Sequence, residues 1–145
     1  MNQLFKILFC LIVVTFLFSC DSKKTSSFQN ISLEDLELKR GDLLLCGDPN
    51  FGEVDFSLSC RYDLREKFNL GLTLIHSFEY AEAEKVFVNI LDQDKDCVMA
   101  YWATAMSILN HPLSRRQNTE SLKRGEELLK VAKTLVVNNE REKDY

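Results

Sequence analysis

Residues 68–113 constrain the fold more than any other part of this 145-residue chain. Apolar side chains recur there three or four residues apart, as at Phe68, Leu72 and Ile75, and this spacing is typical of one face of an amphipathic helix. A second helical pattern follows after a short break. Residues 98–110 are then apolar nearly all round, which indicates burial on more than one side. The stretch predicts a mainly α fold of antiparallel helix hairpins with very few reactive side chains.

The same spacing predicts four helices between residue 63 and residue 137. The first ends at His76, the second covers about residues 80–91, the third is residues 98–110 with Asp96 as its N-cap, and the fourth runs over residues 120–137. Glutamates on these helices, among them Glu79, Glu82, Glu84, Glu126 and Glu127, are expected on solvated faces.

Residues 31–60 precede the helices and are expected to form an N-terminal arm that packs on them. Ser32 is a candidate N-cap for a short helix at the start of this arm. Val54, Phe56 and Leu58 alternate with polar residues, a period of two that predicts a short half-buried strand or extended segment.

Residues 1–19 have the pattern of a secretory signal. One early cation, Lys6, precedes an apolar run that is too short to span a bilayer, and the run ends in the sequence LFSC, which resembles a bacterial lipobox. The resemblance implies cleavage before Cys20, lipidation of its thiol and a place in the bacterial cell envelope, with residues 20–30 as a flexible tether. An ordinary signal peptide or an N-terminal membrane helix is the alternative.

Self-similarity at about 34 residues is the mark of a tetratricopeptide array, and the helices of this chain resemble that repeat. In such hairpins small residues let two helices approach closely, and a large side chain fills the gap between them. Lys95 stands where the repeat usually has proline. The matching residues are Leu70, Gly71, Tyr80, Ala83, Phe87 and Ile90 in the first unit, and Tyr101, Ala105, Gly125, Leu129 and Ala132 in the second.

This resemblance divides residues 61–145 into a first repeat at about 64–97, a second at about 98–138 and the start of a third near residue 140. The segments IHSF, DCVMAYW and NHPL are also similar to those of a family of secreted or lipid-anchored bacterial tetratricopeptide proteins, over about residues 46–145. The resemblance implies that the chain is the N-terminal portion of a longer protein. It also implies a non-enzymatic module that binds or scaffolds another envelope protein or a peptide.

The cysteines allow more than one interpretation. An exported protein meets oxidising conditions, in which disulfides persist. Cys60 and Cys97 each stand just before the leading helix of a repeat, so both thiols should lie at the same end of neighbouring helices, and we predict a disulfide between them. A pairing of Cys46 with Cys60 is the alternative, and all three thiols as small buried apolar residues is another.

The inner face of the leading helices is the candidate binding surface. Its residues are mostly apolar, and a surface this large is rarely left bare, so we expect either the arm or an apolar partner to cover it. Tyr101 is expected in the core, whereas Trp102 serves either the core or binding. The candidate binding face consists of Phe68, Leu72, Ile75, His76, Met99, Trp102 and Met106.

Other functions find less support in the sequence. The net charge of −4 and the absence of a basic stripe argue against nucleic acid as a partner. No catalytic motif is recognisable, and no cofactor or metal is expected. His76 and His111 end the first and third helices, and two ligands are too few for a closed zinc site. Two alternatives are the N-terminal part of an envelope enzyme, with its active site beyond residue 145 or built on His76, His111 and a metal, and a small secreted domain whose helices merely pack.

Overall fold

Four α-helices make up most of the described structure: α1 (Arg65–His76), α2 (Tyr80–Gln93), α3 (Val98–Ile108) and α4 (Thr119–Ala132). They belong to a computed structural model that describes residues 32–45, 50–109 and 118–145, all within the unit Ile31–Tyr145. Short 3₁₀ helices lie at Leu33–Leu36, Tyr62–Leu64 and Glu140–Asp144. These described ranges contain no β-strand, and the predicted mainly α class is confirmed.

Several predictions fall outside the described residues: the signal peptide, Cys20, the tether, Cys46 and His111. Where residues are described, no helix is long and apolar enough to cross a membrane.

Helices that follow one another in sequence pack against one another. α1 packs on α2, α2 on α3 and α3 on α4, and the leading helices α1 and α3 also touch. The turns after α1 and α2 are only three and four residues long, so the chain reverses direction at each of them. The two leading helices consequently run in the same direction. The largest fully buried side chains lie between these layers: Phe68, Phe87, Leu64, Leu74, Ile90, Leu91, Met99 and Leu128.

The first hairpin closes on a glycine. A Cβ atom built on Gly71 of α1 would lie 2.5 Å from two ring carbons of Phe87, which is shorter than any real contact of such an atom. Phe87 is fully buried, and so is Ala83, one turn earlier on α2. Only a residue without a side chain fits at position 71, as the spacing of Gly71, Ala83 and Phe87 predicts.

Two predicted helix boundaries were wrong. The N-cap of α3 is Cys97 and not Asp96, and it makes no side-chain capping hydrogen bond. The backbone N–H of Asp96 instead donates to Asp94 Oδ1 at 3.2 Å, inside the turn before the helix. α4 ends at Ala132, five residues before the predicted end, and the backbone N–H groups of Thr134 and Leu135 donate to the carbonyls three residues back, so the chain tightens into a turn there.

The first half of the arm, residues 32–45, is held by α2. Glu84 is buried and accepts hydrogen bonds from the backbone N–H of Lys39 at 3.0 Å and from Arg124 Nη2 at 2.8 Å. Glu82 is also buried and accepts the backbone N–H of Leu44 at 2.8 Å. The prediction that these two glutamates are solvated was wrong, because the arm covers the side of α2 that carries them.

The second half of the arm, residues 50–60, lies against α1. Phe56 is buried and its backbone N–H donates to Asn69 Oδ1 of α1 at 3.0 Å. Val54 and Leu58 are half-buried, while Asp55 and Ser57 between them are exposed. The burial of these side chains therefore alternates with the predicted period of two. The sequence predicts either a short strand or an extended segment. The described residues form no hydrogen-bonded strand here, so the extended segment is the form that fits.

Candidate functional site

The candidate binding face lies on the two leading helices and divides into a covered half and an open half. In the covered half, Phe68 and Met99 are 0% and 1% exposed, so they belong to the core and cannot contact a partner in this structure. In the open half, Leu72 and Ile75 are half-buried, and His76 at the end of α1 is exposed. The predicted face is thus partly core and partly surface.

Aromatic rings build the covered half. The Phe56 ring of the arm packs on Phe68 with ring centroids 5.6 Å apart, and Phe68 in turn meets Phe87 at 5.3 Å. Tyr145 completes this aromatic cluster: its ring lies edge-on to Trp102 at 4.9 Å and to Phe56 at 6.1 Å. The arm therefore covers part of the predicted face, and a second cover comes from a segment that the sequence did not suggest for this role.

That second cover is residues 139–145. A 3₁₀ helix, Glu140–Asp144, lies where the sequence predicts the start of a third repeat. Glu142 in this helix is 2% exposed, and its carboxylate accepts the backbone N–H of Ser59 at 2.6 Å and the Ser59 hydroxyl. The Arg141 guanidinium stands over the Phe56 ring, 4.4 Å from its centroid, in a cation–π contact. One buried carboxylate, one cation and one aromatic ring fix this segment to the face.

The open half carries the exposed apolar atoms. Met106 of α3 is 39% exposed, and Leu109, the C-cap of this helix, is half-buried. Trp102, also half-buried, lies at the border with the covered half, where the Tyr145 ring packs on it. These three residues of α3 follow Met99 at the three- and four-residue steps of one helix face. On α1, Leu72 and Ile75 follow Phe68 in the same way, and both pack against the core from its edge. This arrangement offers an apolar strip with the imidazole of His76 at its end.

A disulfide joins Cys60 and Cys97, the pair that the sequence favours, with the sulfurs 2.02 Å and the Cα atoms 5.0 Å apart. Cys60 lies just before the 3₁₀ turn that leads into α1, and Cys97 is the N-cap of α3, so the bond ties together the starts of the two leading helices. Ser59, which holds Glu142, is the residue next to this bond. The disulfide therefore fixes the donor that the 139–145 segment uses.

A depression of about 430 Å³ opens beside the disulfide. Asp94 at its edge accepts the backbone N–H groups of Arg61 and Asp96, both at 3.2 Å, so this carboxylate caps the turn between α2 and α3. The Arg61 guanidinium is paired with Asp63. These polar groups already have structural roles. The lining consists of Ser59, Cys60, Arg61, Asp94, Asp96, Thr134, Leu135, Val136 and Asn138.

The electrostatics of the domain centre on α2 and α4. Burial raises the pKa of Glu82, but hydrogen bonds from the Leu44 N–H and from Lys85 Nζ, with the charge of Lys85, outweigh it, and the pKa of Glu82 lies below its ordinary value. Arg124 of α4 binds Glu84 and also donates to the carbonyl oxygens of Leu36 at 2.7 Å and Glu37 at 2.9 Å. These groups fasten the first half of the arm to α2 and α4.

Tyr101 is buried, as expected for a core residue. Its hydroxyl donates to the backbone carbonyl of Lys95 at 3.0 Å. Burial, with a smaller contribution from the charges of Asp96 and Asp94, raises the pKa of the Tyr101 phenol above its ordinary value. The phenol therefore stays protonated near neutral pH and serves the turn between α2 and α3.

No metal centre can be assembled from the described residues, since no group of three His, Cys, Asp or Glu side chains there could hold an ion. His76 is exposed at the end of α1, and His111, the other histidine of the alternative metal site, lies outside the described residues.

The fold and the site define this chain as a mainly α domain of consecutively packed helices, with a partly covered apolar face on its leading helices. No known protein-family model, curated protein or solved structure matches it.

Proposed function

We propose that this chain is a non-enzymatic, membrane-anchored module of the tetratricopeptide type that binds or scaffolds another protein of the bacterial cell envelope. The helices support this proposal, because each packs on the next and the two leading helices touch, as in a stacked array. The small-against-large contact of Gly71 with Phe87 falls at the positions where the tetratricopeptide pattern needs it.

One observation carries the binding proposal: the open half of the leading-helix face is apolar and accessible. Met106 of α3 is 39% exposed, Leu72 and Ile75 of α1 are half-buried, and His76 at the end of α1 is exposed. Apolar side chains rimmed by polar groups mark protein interaction sites more often than they mark catalytic ones. The sequence supplies the expected location through the LFSC sequence that ends at Cys20.

Crosslinking from two positions tests the binding surface. A photo-crosslinking amino acid at Met106 probes the open half, and the same amino acid at Leu122 of α4 is a matched control, because Leu122 is 45% exposed. We expect a specific envelope-protein adduct from position 106 that disappears in the Ile75→Asp variant, and no such adduct from position 122. Equal adducts from both positions would contradict the proposal.

Metabolic labelling with a fatty acid tests the anchor separately. We expect the wild-type chain to incorporate the label and to sediment with membranes, and the Cys20→Ala variant to lose both properties. An unlabelled, soluble wild-type chain would contradict the membrane-anchored part of the proposal and leave the binding part intact.

A further inference from the structure

Residues 139–145 contact the covered half of the leading-helix face with the chemistry of a bound peptide. Glu142 places a carboxylate against two hydrogen-bond donors of Ser59, and Tyr145, three residues later, places a ring against Trp102 and Phe56. One charged anchor and one aromatic anchor at fixed spacing give both orientation and contact area.

The segment is held by three side chains, Arg141, Glu142 and Tyr145, and by no backbone–backbone hydrogen bond to the rest of the described chain. Only Glu142 in its 3₁₀ helix is buried, and Tyr145 is 56% exposed. The backbone hydrogen bonds that the described structure gives the segment close within it: Glu142 and Lys143 donate to the carbonyl of Asn139, and Tyr145 donates to that of Glu142. Segments with so few buried contacts open at low free-energy cost compared with the whole domain.

The surface beneath the segment is held in place by other parts of the molecule. Phe56 is fixed to α1 through Asn69 Oδ1, and Ser59 is fixed by the adjacent disulfide from Cys60 to Cys97. Departure of residues 139–145 therefore leaves the donors of Ser59 and the rings of Phe56 and Trp102 close to their present positions. A preformed site of this kind binds a replacement ligand without a large ordering cost.

We propose that residues 139–145 are a built-in, exchangeable ligand, and that the surface they cover accepts from a partner protein a short segment with a carboxylate and, three residues later, an aromatic ring. This inference rests on the proposed function and specifies the partner's chemistry. The built-in segment has an effective concentration of roughly millimolar, so it excludes weak competitors and admits a partner that binds more tightly or at several points.

Trp102 is the only tryptophan of the chain and lies 4.9 Å from the Tyr145 ring, so its fluorescence reports release of the segment. In the full-length chain we expect Tyr145→Ala and Glu142→Ala to shift the Trp102 emission toward that of a more solvated indole. Glu140→Ala is the matched control, because Glu140 lies in the same segment with its side chain 87% exposed, and it should leave the emission unchanged. Circular dichroism of each variant establishes that the helices persist.

A labelled peptide with the sequence of residues 139–145, blocked at both ends, then tests exchange. We expect it to bind the Glu142→Ala and Tyr145→Ala chains about tenfold or more tightly than the wild-type chain, in which the built-in segment competes. Replacing the central glutamate or the tyrosine of the peptide by alanine should abolish that binding. Tyr145 is 56% exposed and follows the 3₁₀ helix, so Tyr145→Ala keeps the test available if Glu142→Ala fails to fold.

Equal affinity for the wild-type chain and both released chains, or binding that ignores the peptide's glutamate and tyrosine, would overturn the inference. If a second copy of this chain is the occupant, the wild-type protein will form dimers that need Glu142. That result would overturn the inference that the occupant comes from a different protein. Peptide binding without an adduct from Met106 would retain this inference and refute the proposed function. An adduct from Met106 without peptide binding would support the proposed function and refute this inference.

Discussion

α2 and α4 each pack on the helix that precedes them in sequence, yet they are buried very differently. Each has 14 residues and follows a leading helix, but eight residues of α2 are buried and only three of α4. α2 lies between α1 and α3 and is covered by the first half of the arm through Glu82 and Glu84. α4 contacts α3 on one side and exposes Leu122. A helical pattern thus determines which residues meet the hairpin partner, and other parts of the chain determine what covers the opposite side.

The two hairpins also close differently at their small residues. A Cβ atom on Gly71 would lie 2.5 Å from the Phe87 ring, whereas one on Gly125 would lie 3.8 Å from Ala105 and Leu109, at ordinary contact distance. The first hairpin therefore requires glycine, and the second only tolerates it.

The largest effect is expected from the covalent link between the hairpins. The Cys60–Cys97 bond closes a loop with a sequence separation of 37 residues, which should contribute about 4 kcal/mol to the free energy of unfolding through restriction of the unfolded chain. We expect the Cys60→Ala/Cys97→Ala chain to unfold at a much lower urea concentration than the wild type. Reductant should lower the urea midpoint of the wild type by a similar amount and leave the midpoint of the double variant unchanged. A wild-type midpoint that does not respond to reductant would refute the prediction.

The next effect separates the buried ion pair that joins α4 to α2 from an exposed ion pair within α4. Arg124→Met removes the guanidinium that pairs with buried Glu84 and should destabilise the domain by about 2–3 kcal/mol, because the buried carboxylate then keeps only the Lys39 backbone N–H at 3.0 Å and the half-exposed Lys39 ammonium at 3.8 Å. Glu126→Ala, which breaks an exposed pair with Lys130 on α4, should cost less than about 1 kcal/mol. Urea titrations of both variants measure the difference.

The double variant Glu84→Met/Arg124→Met identifies the cause. Two apolar side chains of similar length leave no unpaired charge, so we expect recovery of a large part of the stability that Arg124→Met loses. A loss of unfolding free energy in the double variant that equals the summed losses of Glu84→Met and Arg124→Met would have a different cause. In that case the loss arises from the contacts of Arg124 with the arm at Leu36 and Glu37 instead.

The helices and the closure of the first hairpin were predictable because periodicity and side-chain size act locally. α1 ends at His76 as predicted, and Gly71 meets Phe87 as predicted. The burial of Glu84 could have been suspected, since it stands four and seven residues before Val88 and Leu91, both fully buried, on one stripe of α2. A charged residue in an apolar stripe indicates a partner of opposite charge. The sequence does not show which residue this is, because the partner, Arg124, lies 40 positions away.

The contact of Ser59 with Glu142 had no such signal. These residues are 83 positions apart; Ser59 is one of the polar residues of the period-of-two segment, which marks it only as facing away from the core, and Glu142 belongs to no periodic pattern. The cover over the leading-helix face was expected from the arm or from an apolar partner, and not from residues 139–145, because irregular segments of this kind carry no face that a sequence pattern could identify. Long-range contacts between irregular segments depend on the assembled surface and so escape sequence reasoning.

A single methyl group should distinguish the two hairpins. Gly71→Ala forces its Cβ into the buried Phe87 ring, and overpacking of this kind costs about 2 kcal/mol even after the gain in helix propensity. Gly125→Ala meets only ordinary contacts and should stabilise the domain by about 0.5–1 kcal/mol, because alanine favours a helix over glycine. Thermal unfolding of the two variants should therefore shift in opposite directions, and shifts of the same sign would show that the hairpins close alike.

The smallest effect concerns acid and the arm on α2. The pKa of Glu82 in the folded chain lies below its unfolded value of about 4.3, despite the burial that raises it, because Leu44 and Lys85 favour the carboxylate. Its contribution to stability is therefore fully present above that unfolded value and is lost as the pH falls through the lower folded-state pKa.

We expect the unfolding free energies of the wild type and Glu82→Gln to converge as the pH is lowered below about 4. Lys85→Met removes one of the groups that lower this pKa, so in that background the convergence should begin at a higher pH. A difference between wild type and Glu82→Gln that stayed constant from pH 6 to about pH 3 would mean that the carboxylate of Glu82 does not hold the arm.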